Sequence, residues 1–215
     1  MSTTTQEAFW SGEFGKAYSD RNNWTSAQYD DFYRHEWGIT KTQMNEDCLR
    51  TLPKDAKILE VGCNIGLQLR CLQEMGFTNL YGIELQHYAV EKAKEIVKNV
   101  NIIQGSGFDI PFKDSYFDVV VTNGVLIHIA PDDLPRIMSE MVRSSKKYVW
   151  GFEYFASSLV NINYRGNEGL LWKADYSNIF QEKFPQLQEI YRKMYPYVSA
   201  SQQGNVDYMY LLEKQ

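Results

Sequence analysis

Three stretches of the chain hold residues whose types and spacing suit chemistry on a bound small molecule. In Glu60-Val61-Gly62-Cys63-Asn64-Ile65-Gly66, two glycines stand where an apolar run turns into a helical pattern. Glycine at such a bend lets a ligand approach the backbone closely. Glu84 closes the next apolar run, about 20 residues further on, where an acid accepts both hydroxyls of a ribose. That position serves a nicotinamide dinucleotide and any other adenosine derivative equally well. Glycine spacing bears on the choice: a dinucleotide fingerprint asks for G-x-G-x-x-G, and counting from Gly62 its second and third places hold Asn64 and Leu67. Pyrophosphate at this helix start is therefore disfavoured. A plainer reading stays open for both features, with Gly62 as a tight turn and Glu84 as a solvated charge. The third stretch, Asn123-Gly124-Val125-Leu126-Ile127-His128, ends in an imidazole. An imidazole ordinarily titrates near neutrality, so His128 suits removal of a proton from a hydroxyl or ammonium, or else it caps the loop before Pro131.

Two aromatic clusters accompany these stretches. Trp10, Phe14, Tyr18 and Arg21 lie near the start, and the guanidinium of Arg21 with the hydroxyl of Tyr18 suits a planar carboxylate. The alternative is aromatic packing with a surface Arg. Tyr164, Arg165, Trp172, Lys173, Asp175 and Tyr176 mix rings with charges, as surfaces for polar ligands and sugars do, but such rings also build cores.

The elements that must position these residues alternate. Apolar runs at 57–61, 79–84, 100–104, 117–122 and 148–154 read as strands, and helical spacing fills 67–75, 90–99 and the segment after Asp132 or Asp133. Pro135 fits the first turn of that last helix. Strands separated by helices predict a Rossmann-like, doubly wound, mostly parallel α/β sheet. After a helix from Tyr176 to Phe184, the runs 187–198 and 206–213 around Gly204 predict a C-terminal antiparallel hairpin. Before the first strand, Thr25 and Gln28 form a capping box for a helix burying Tyr29, Phe32 and Tyr33, and Met44, Cys48, Leu49 and Leu52 mark another, stopped by Pro53. The expected layout is a single domain over 1–215: a helical lid at 1–54, a ligand-binding core at 55–155, a substrate-facing segment at 156–185 and the hairpin at 186–215.

Composition excludes several alternatives. With 44% hydrophobic and 23% charged residues, the 215-residue chain can bury a sizeable core. It carries 22 Lys+Arg against 27 Asp+Glu, and a formal charge of -5 without a basic run argues against nucleic acid. No apolar stretch approaches the roughly 18 residues of a membrane helix, and Met1 to Thr5 lead into Gln6-Glu7 rather than a secretion signal. A cytoplasmic protein without membrane partners is expected. Cys48, Cys63 and Cys71 are odd in number and show no CxxC pairing, so neither a disulfide framework nor a metal site is expected.

The ordered set E-x-G-x-x-x-G, Tyr81-Gly82-Ile83-Glu84-Leu85, Asp109-Ile110-Pro111-Phe112 and Phe117-Asp118-Val119-Val120 resembles the class I S-adenosylmethionine-dependent methyltransferases over about residues 55–155. With Phe9-Trp10-x-Gly12-x-Phe14-Gly15-x-x-Tyr18 and Tyr164-Arg165-Gly166 with Leu171-Trp172-Lys173-Ala174-Asp175-Tyr176, the finer pattern is similar to the pseudaminic acid biosynthesis-associated methylases. The resemblance implies S-adenosylmethionine as cofactor and a small-molecule methyl acceptor, a sugar or sugar-derived metabolite of the nonulosonic acid kind. Another small molecule, a protein side chain, or a non-catalytic cofactor-binding protein are the alternatives. It places the methionine end of the cofactor at Gly62, Cys63, Asn64 and Gly66 above Glu60, the ribose at Glu84, and adenine between Leu85 and Ser106, Gly107 and Phe108. Many relatives have an Asp where this chain has Ser106, so the Ser106 hydroxyl, a neighbouring carbonyl or Asp109 must serve adenine instead. Asn123 and Gly124 run beside the sulfonium. On the same reading Tyr18 and Arg21 meet the cofactor carboxylate, Tyr164, Arg165, Trp172 and Lys173 face the substrate, and His128 is the candidate base.

Overall fold

The computed structural model describes residues 3–215, so Met1 and Ser2 at the start of the N-terminal stretch lie outside it. Strands β1 (Lys57–Val61), β2 (Asn79–Glu84), β3 (Asn101–Gln104), β4 (Phe117–Asn123) and β5 (Ser145–Tyr154) are parallel neighbours. Two further strands complete a seven-stranded sheet in the order β3-β2-β1-β4-β5-β9-β8. Here β9 (Val206–Lys214) runs antiparallel to β5, and β8 (Leu187–Pro196) antiparallel to β9. The expected hairpin is therefore the outer edge of the sheet.

Alternate side chains of each central strand enter opposite layers. Ile58, Val119 and Val121 pack under α4 (Lys41–Leu49), α5 (Leu67–Glu74) and α6 (His87–Ile96), whereas Leu59 and Val120 pack under α7 (Leu134–Ser144) and α8 (Tyr176–Lys183). Burial on both faces explains why these strands read as unbroken apolar runs. Pro135 sits in the first turn of α7 as expected, while Asp133 stands at its N-cap without a side-chain capping bond.

Before β1 come α1 (Thr5–Ser11), α2 (Glu13–Arg21) and α3 (Ser26–Trp37). The Thr25–Gln28 capping box forms, and α3 buries Tyr29 and Tyr33. Phe32, expected in the core, is 37% exposed because its helix turns that position outward. A two-stranded ribbon, β6 (Val160–Asn161) with β7 (Trp172–Lys173), occupies the aromatic segment. No described helix is long and apolar enough to cross a membrane.

Candidate functional site

The strand order reverses between β1 and β4, so the loops leaving these two strands diverge and open a crevice at the carboxyl end of the sheet. A cavity of about 860 Å³ lies there, within the range of small-ligand sites. Residues from α1, α2 and α3 line it together with the strand ends, so the N-terminal helices roof the crevice.

The half over β1, β2 and β3 is shaped by backbone. Gly62 has φ +72°, and a Cβ there would lie 2.7 Å from Val125 Cγ2, so glycine is required both by conformation and by space. Asn64 also has positive φ, +46°. Glu84 holds this bend: one carboxylate oxygen accepts the Asn64 N–H at 2.9 Å and the other the Gln86 N–H at 2.8 Å. Burial pushes the Glu84 carboxyl up, against the pull of those amides. The Asn64 side-chain oxygen lies 2.7 Å from the Ser19 hydroxyl of α2. Beneath the bend, Glu60 is buried, its Oε2 has no partner, and desolvation raises its pKa to about 8.

Leu85, Ser106, Gly107 and Phe108 line the far end of this half. The Ser106 hydroxyl accepts the Phe108 N–H at 3.1 Å and donates to Glu7 Oε1 at 2.6 Å. Glu7 Oε2 accepts the Thr4 N–H, so a carboxylate from α1 is fixed at the cavity wall. Asp109 does not reach in; it is exposed and off the cavity.

The other half lies over β4, β5 and β9. Asn123 and Gly124 line it, and the Asn123 amide donates to the Tyr29 hydroxyl at 3.1 Å while its oxygen accepts from Lys41 Nζ at 2.9 Å. Lys41 is fully buried with its amine 4.1 Å from the centroid of the Phe152 ring, and desolvation lowers its pKa to about 8. Glu153 accepts long bonds of 3.3–3.4 Å from the backbone N–H groups of Val125, Leu126 and Ile127, fixing the turn that carries His128. Burial raises its pKa to about 7.

His128 Nδ1 lies 2.7 Å from the Leu170 carbonyl, which can only accept, so Nδ1 carries the proton and Nε2 the free lone pair. Burial lowers its pKa to about 4. Its ring packs 4.6 Å from Trp10 and 5.1 Å from Tyr164. Tyr18 lines the cavity too, T-shaped against Trp10, and burial raises its pKa to about 12.

Glu60, Gly62, Cys63, Asn64, Glu84, Leu85, Ser106, Gly107, Phe108, Asn123, Gly124, His128, Tyr18, Tyr164, Arg165 and Lys173 thus meet at one cavity. Three expected residues do not. Gly66 is the left-handed cap of α5, where a Cβ would meet Val97 Cγ2 at 2.8 Å, and it serves packing. In α2, the positions 15, 18, 19 and 22 recur on one face and line the cavity; Arg21 falls off that face and is exposed beside Phe14. Around β7, Leu171 just before the strand and Lys173 within it line the cavity, and alternation turns Trp172 away into the interior. Conversely, sequence reasoning missed Lys41, Glu7, Glu153 and Asp207 at this site. An N3 Glu after Thr4 marks a capping box, which was the readable trace of Glu7.

Of nine buried side-chain nitrogen and oxygen atoms without a partner among the described residues, five belong to residues lining this cavity: Trp10, Trp37, Glu60, Gln86 and Asp207. Native interiors rarely leave polar atoms unpaired, so their concentration here marks a surface that a ligand completes. Among the described residues no cluster of His, Cys, Asp and Glu suits a metal ion.

Residues 59–149 match the model of a methyltransferase domain family. A ribosomal protein L11 methyltransferase of Clostridium botulinum is 30% identical over 104 residues, covering 43% of this chain and 33% of that protein. The chain spans 33–39% of the length of the two curated relatives compared. Among solved structures, a protein from Pyrococcus horikoshii superposes with a TM-score of 0.62 at 16% identity, covering 89% of this chain and all of that one. A SAM-dependent methyltransferase structure from Methanosarcina mazei gives 0.64 at 16% identity over 78% of this chain and 96% of that one. The fold is that of the class I methyltransferases, and the match to the methyltransferase domain family covers residues 59–149 of it.

Proposed function

We infer that the protein transfers a methyl group from S-adenosylmethionine to a small polar metabolite, sugar-derived as the finer motif resemblance implies, in the cytoplasm. The observation that carries this reading is Glu84, whose two oxygens are pinned by the Asn64 and Gln86 amides at the rim of a glycine-lined bend. Each oxygen keeps a free lone pair for a ribose hydroxyl. The residues fit the group: Gly62 leaves the space that a side chain would fill, and the orphaned Glu60 Oε2 suits an ammonium. Leu85, Gly107 and Phe108 offer an apolar slot for adenine, with Glu7 and Ser106 at its edge as the polar partners. When bound, S-adenosylmethionine supplies a methyl group made electrophilic by its sulfonium.

The chain's own task is then alignment. Holding a nucleophile in line with a reactive carbon is worth as much as about 7–11 kcal/mol. His128 Nε2 is free to accept the proton of an acceptor hydroxyl, and its Nδ1–H bond to Leu170 fixes that direction. Tyr164, Arg165 and Lys173 present rings and charges to the acceptor. The roof of α1 and α2 is clasped by Gln86 Nε2, which donates to the Gly12 carbonyl at 3.0 Å.

Thermal denaturation with S-adenosylhomocysteine, and separately with NAD, tests the reading. A native-state ligand raises the midpoint in proportion to its saturation. Stabilisation by S-adenosylhomocysteine and none by NAD is expected; the reverse would make the protein a dehydrogenase.

A further inference from the structure

The half of the cavity over β5 and β9 contains a carboxylate that the chain leaves unsatisfied. Asp207 in β9 is 4% exposed and lines the cavity. Its Oδ2 accepts from the Tyr197 hydroxyl at 3.0 Å, but its Oδ1 is buried without a partner. Among the described residues no cation lies within ion-pair distance: the Lys173 amine is held by Asn205 Oδ1, and the Lys41 amine by Asn123. Both act on Asp207 from further away and favour its ionised form, whereas Glu153 opposes it.

The wall around this carboxylate is aromatic. Tyr33, Trp37, Phe152, Tyr154 and Tyr197 line the same space. Trp37 packs 4.6 Å from Tyr197 and 5.7 Å from Phe152, and Tyr154 lies 5.9 Å from Tyr197. Trp37 Nε1 is a second buried atom here with no partner.

A lone buried carboxylate among ring faces matches one ligand chemistry best. A cationic nitrogen gains a charge-assisted hydrogen bond from the carboxylate and attraction to the π faces. A neutral hydroxyl fills the hydrogen bond but makes no such use of the rings, and an anion is repelled. We propose that Asp207 anchors an ammonium group of the methyl acceptor, so that the substrate class is an amine-bearing small molecule, an amino sugar where the acceptor is a sugar. This rests on the methyltransferase reading above. In the sheet β9 is two strands beyond β4, about 10 Å at the usual strand spacing. The ammonium is therefore a handle, and a different atom of the acceptor lies toward His128. Burial pushes the Asp207 carboxyl up from its ordinary range, and an ammonium beside it opposes that rise.

Calorimetry on the protein saturated with S-adenosylhomocysteine tests this, using glucosamine against glucose and ethanolamine against ethylene glycol as matched probes. The amine of each pair should bind at least tenfold more tightly near neutral pH. Asp207→Asn should abolish the preference while keeping the affinity for S-adenosylhomocysteine within twofold. Equal binding of amine and hydroxyl partners, or a preference that survives Asp207→Asn, would overturn the proposal. If that variant does not fold, Trp37→Leu should weaken the amines at least fivefold and leave the hydroxyl compounds unchanged; an equal loss in both overturns it. Failure of S-adenosylhomocysteine to bind would count against the methyltransferase reading instead, and the amine preference would remain measurable on the ligand-free protein.

Discussion

Replacing Glu84 by Gln keeps the shape of the side chain and removes its charge, which makes it the sharpest probe of the nucleoside site. In the native chain both carboxylate oxygens accept a backbone N–H, from Asn64 at 2.9 Å and Gln86 at 2.8 Å. An amide has one oxygen and one NH2 group, so either orientation sets a donor against a donor. The bend at Asn64, already at φ +46°, loses one of its two anchors or the Gln86 turn does. Leaving a half-buried N–H unpaired costs about 1–3 kcal/mol, part of which appears as lower stability of the free protein. The ribose hydroxyls in turn exchange a charged acceptor for a neutral one, and charged hydrogen bonds exceed neutral ones by about 1 kcal/mol each. The combined loss of affinity for S-adenosylhomocysteine is about 1–3 kcal/mol, a factor of roughly 6 to 150. Isothermal calorimetry reads this directly, with the denaturation midpoint of the free variant as control. A variant that folds and binds S-adenosylhomocysteine within twofold of the native chain would refute the ribose assignment.

Three further outcomes are expected. Glu153 has a folded pKa of about 7 against an ordinary value of 4.5, so the folded chain keeps a proton that the unfolded chain releases between these values. Its stabilising share is fully present below about pH 4.5, declines as pH rises to about 7 and is then gone, up to about 3 kcal/mol in all. Urea unfolding at pH 5 and pH 8 should show the native chain losing more stability than Glu153→Gln over that interval; parallel losses would remove Glu153 as the cause. His128 should remain neutral down to about pH 4, so its ring resonance, assigned with His128→Gln, should not titrate near 6.5. The same variant should bind S-adenosylhomocysteine normally and turn over more slowly on an acceptor identified by labelled methyl transfer from cell extracts; unaltered turnover would reduce His128 to a structural role.

The central strands were legible because burial on both faces leaves continuous apolar runs, and Glu84 and Gly62 because their positions follow from strand ends alone. The hairpin was legible from its turn, though β8 stops at Pro196, two residues short of the expected Val198. What sequence could not supply was phase. Arg21 and Tyr18 lie three apart on α2, and only packing decides which of them turns inward. Trp172 sits in a two-residue strand, too short for alternation to show before its partner is known. Lys41 opens a helix after Thr40, the usual place of an exposed charge, yet the fold closes over it and ties it to Asn123, 82 residues away. Asp207 follows a turn and reads as a strand-end polar residue until β5 and β8 enclose it.

These buried charges share a physical logic. Glu60, Glu84, Glu153 and Asp207 are all raised by desolvation, and Lys41 is lowered by it. Burying an unpaired ionised carboxylate costs several kcal/mol, so desolvation favours the protonated acid, while N–H donors such as those on Glu84 oppose it. Glu60 and Asp207 each keep one oxygen without a partner, so a cation that arrives there favours their ionised form. Cationic ligands are then favoured twice, by the carboxylates they ionise and by the rings of Trp37, Tyr154 and Tyr197 around them. Anions gain neither. The arrangement suits a reaction in which a sulfonium occupies one half of the crevice and an ammonium is held in the other, since each finds its own carboxylates rather than the other's charge.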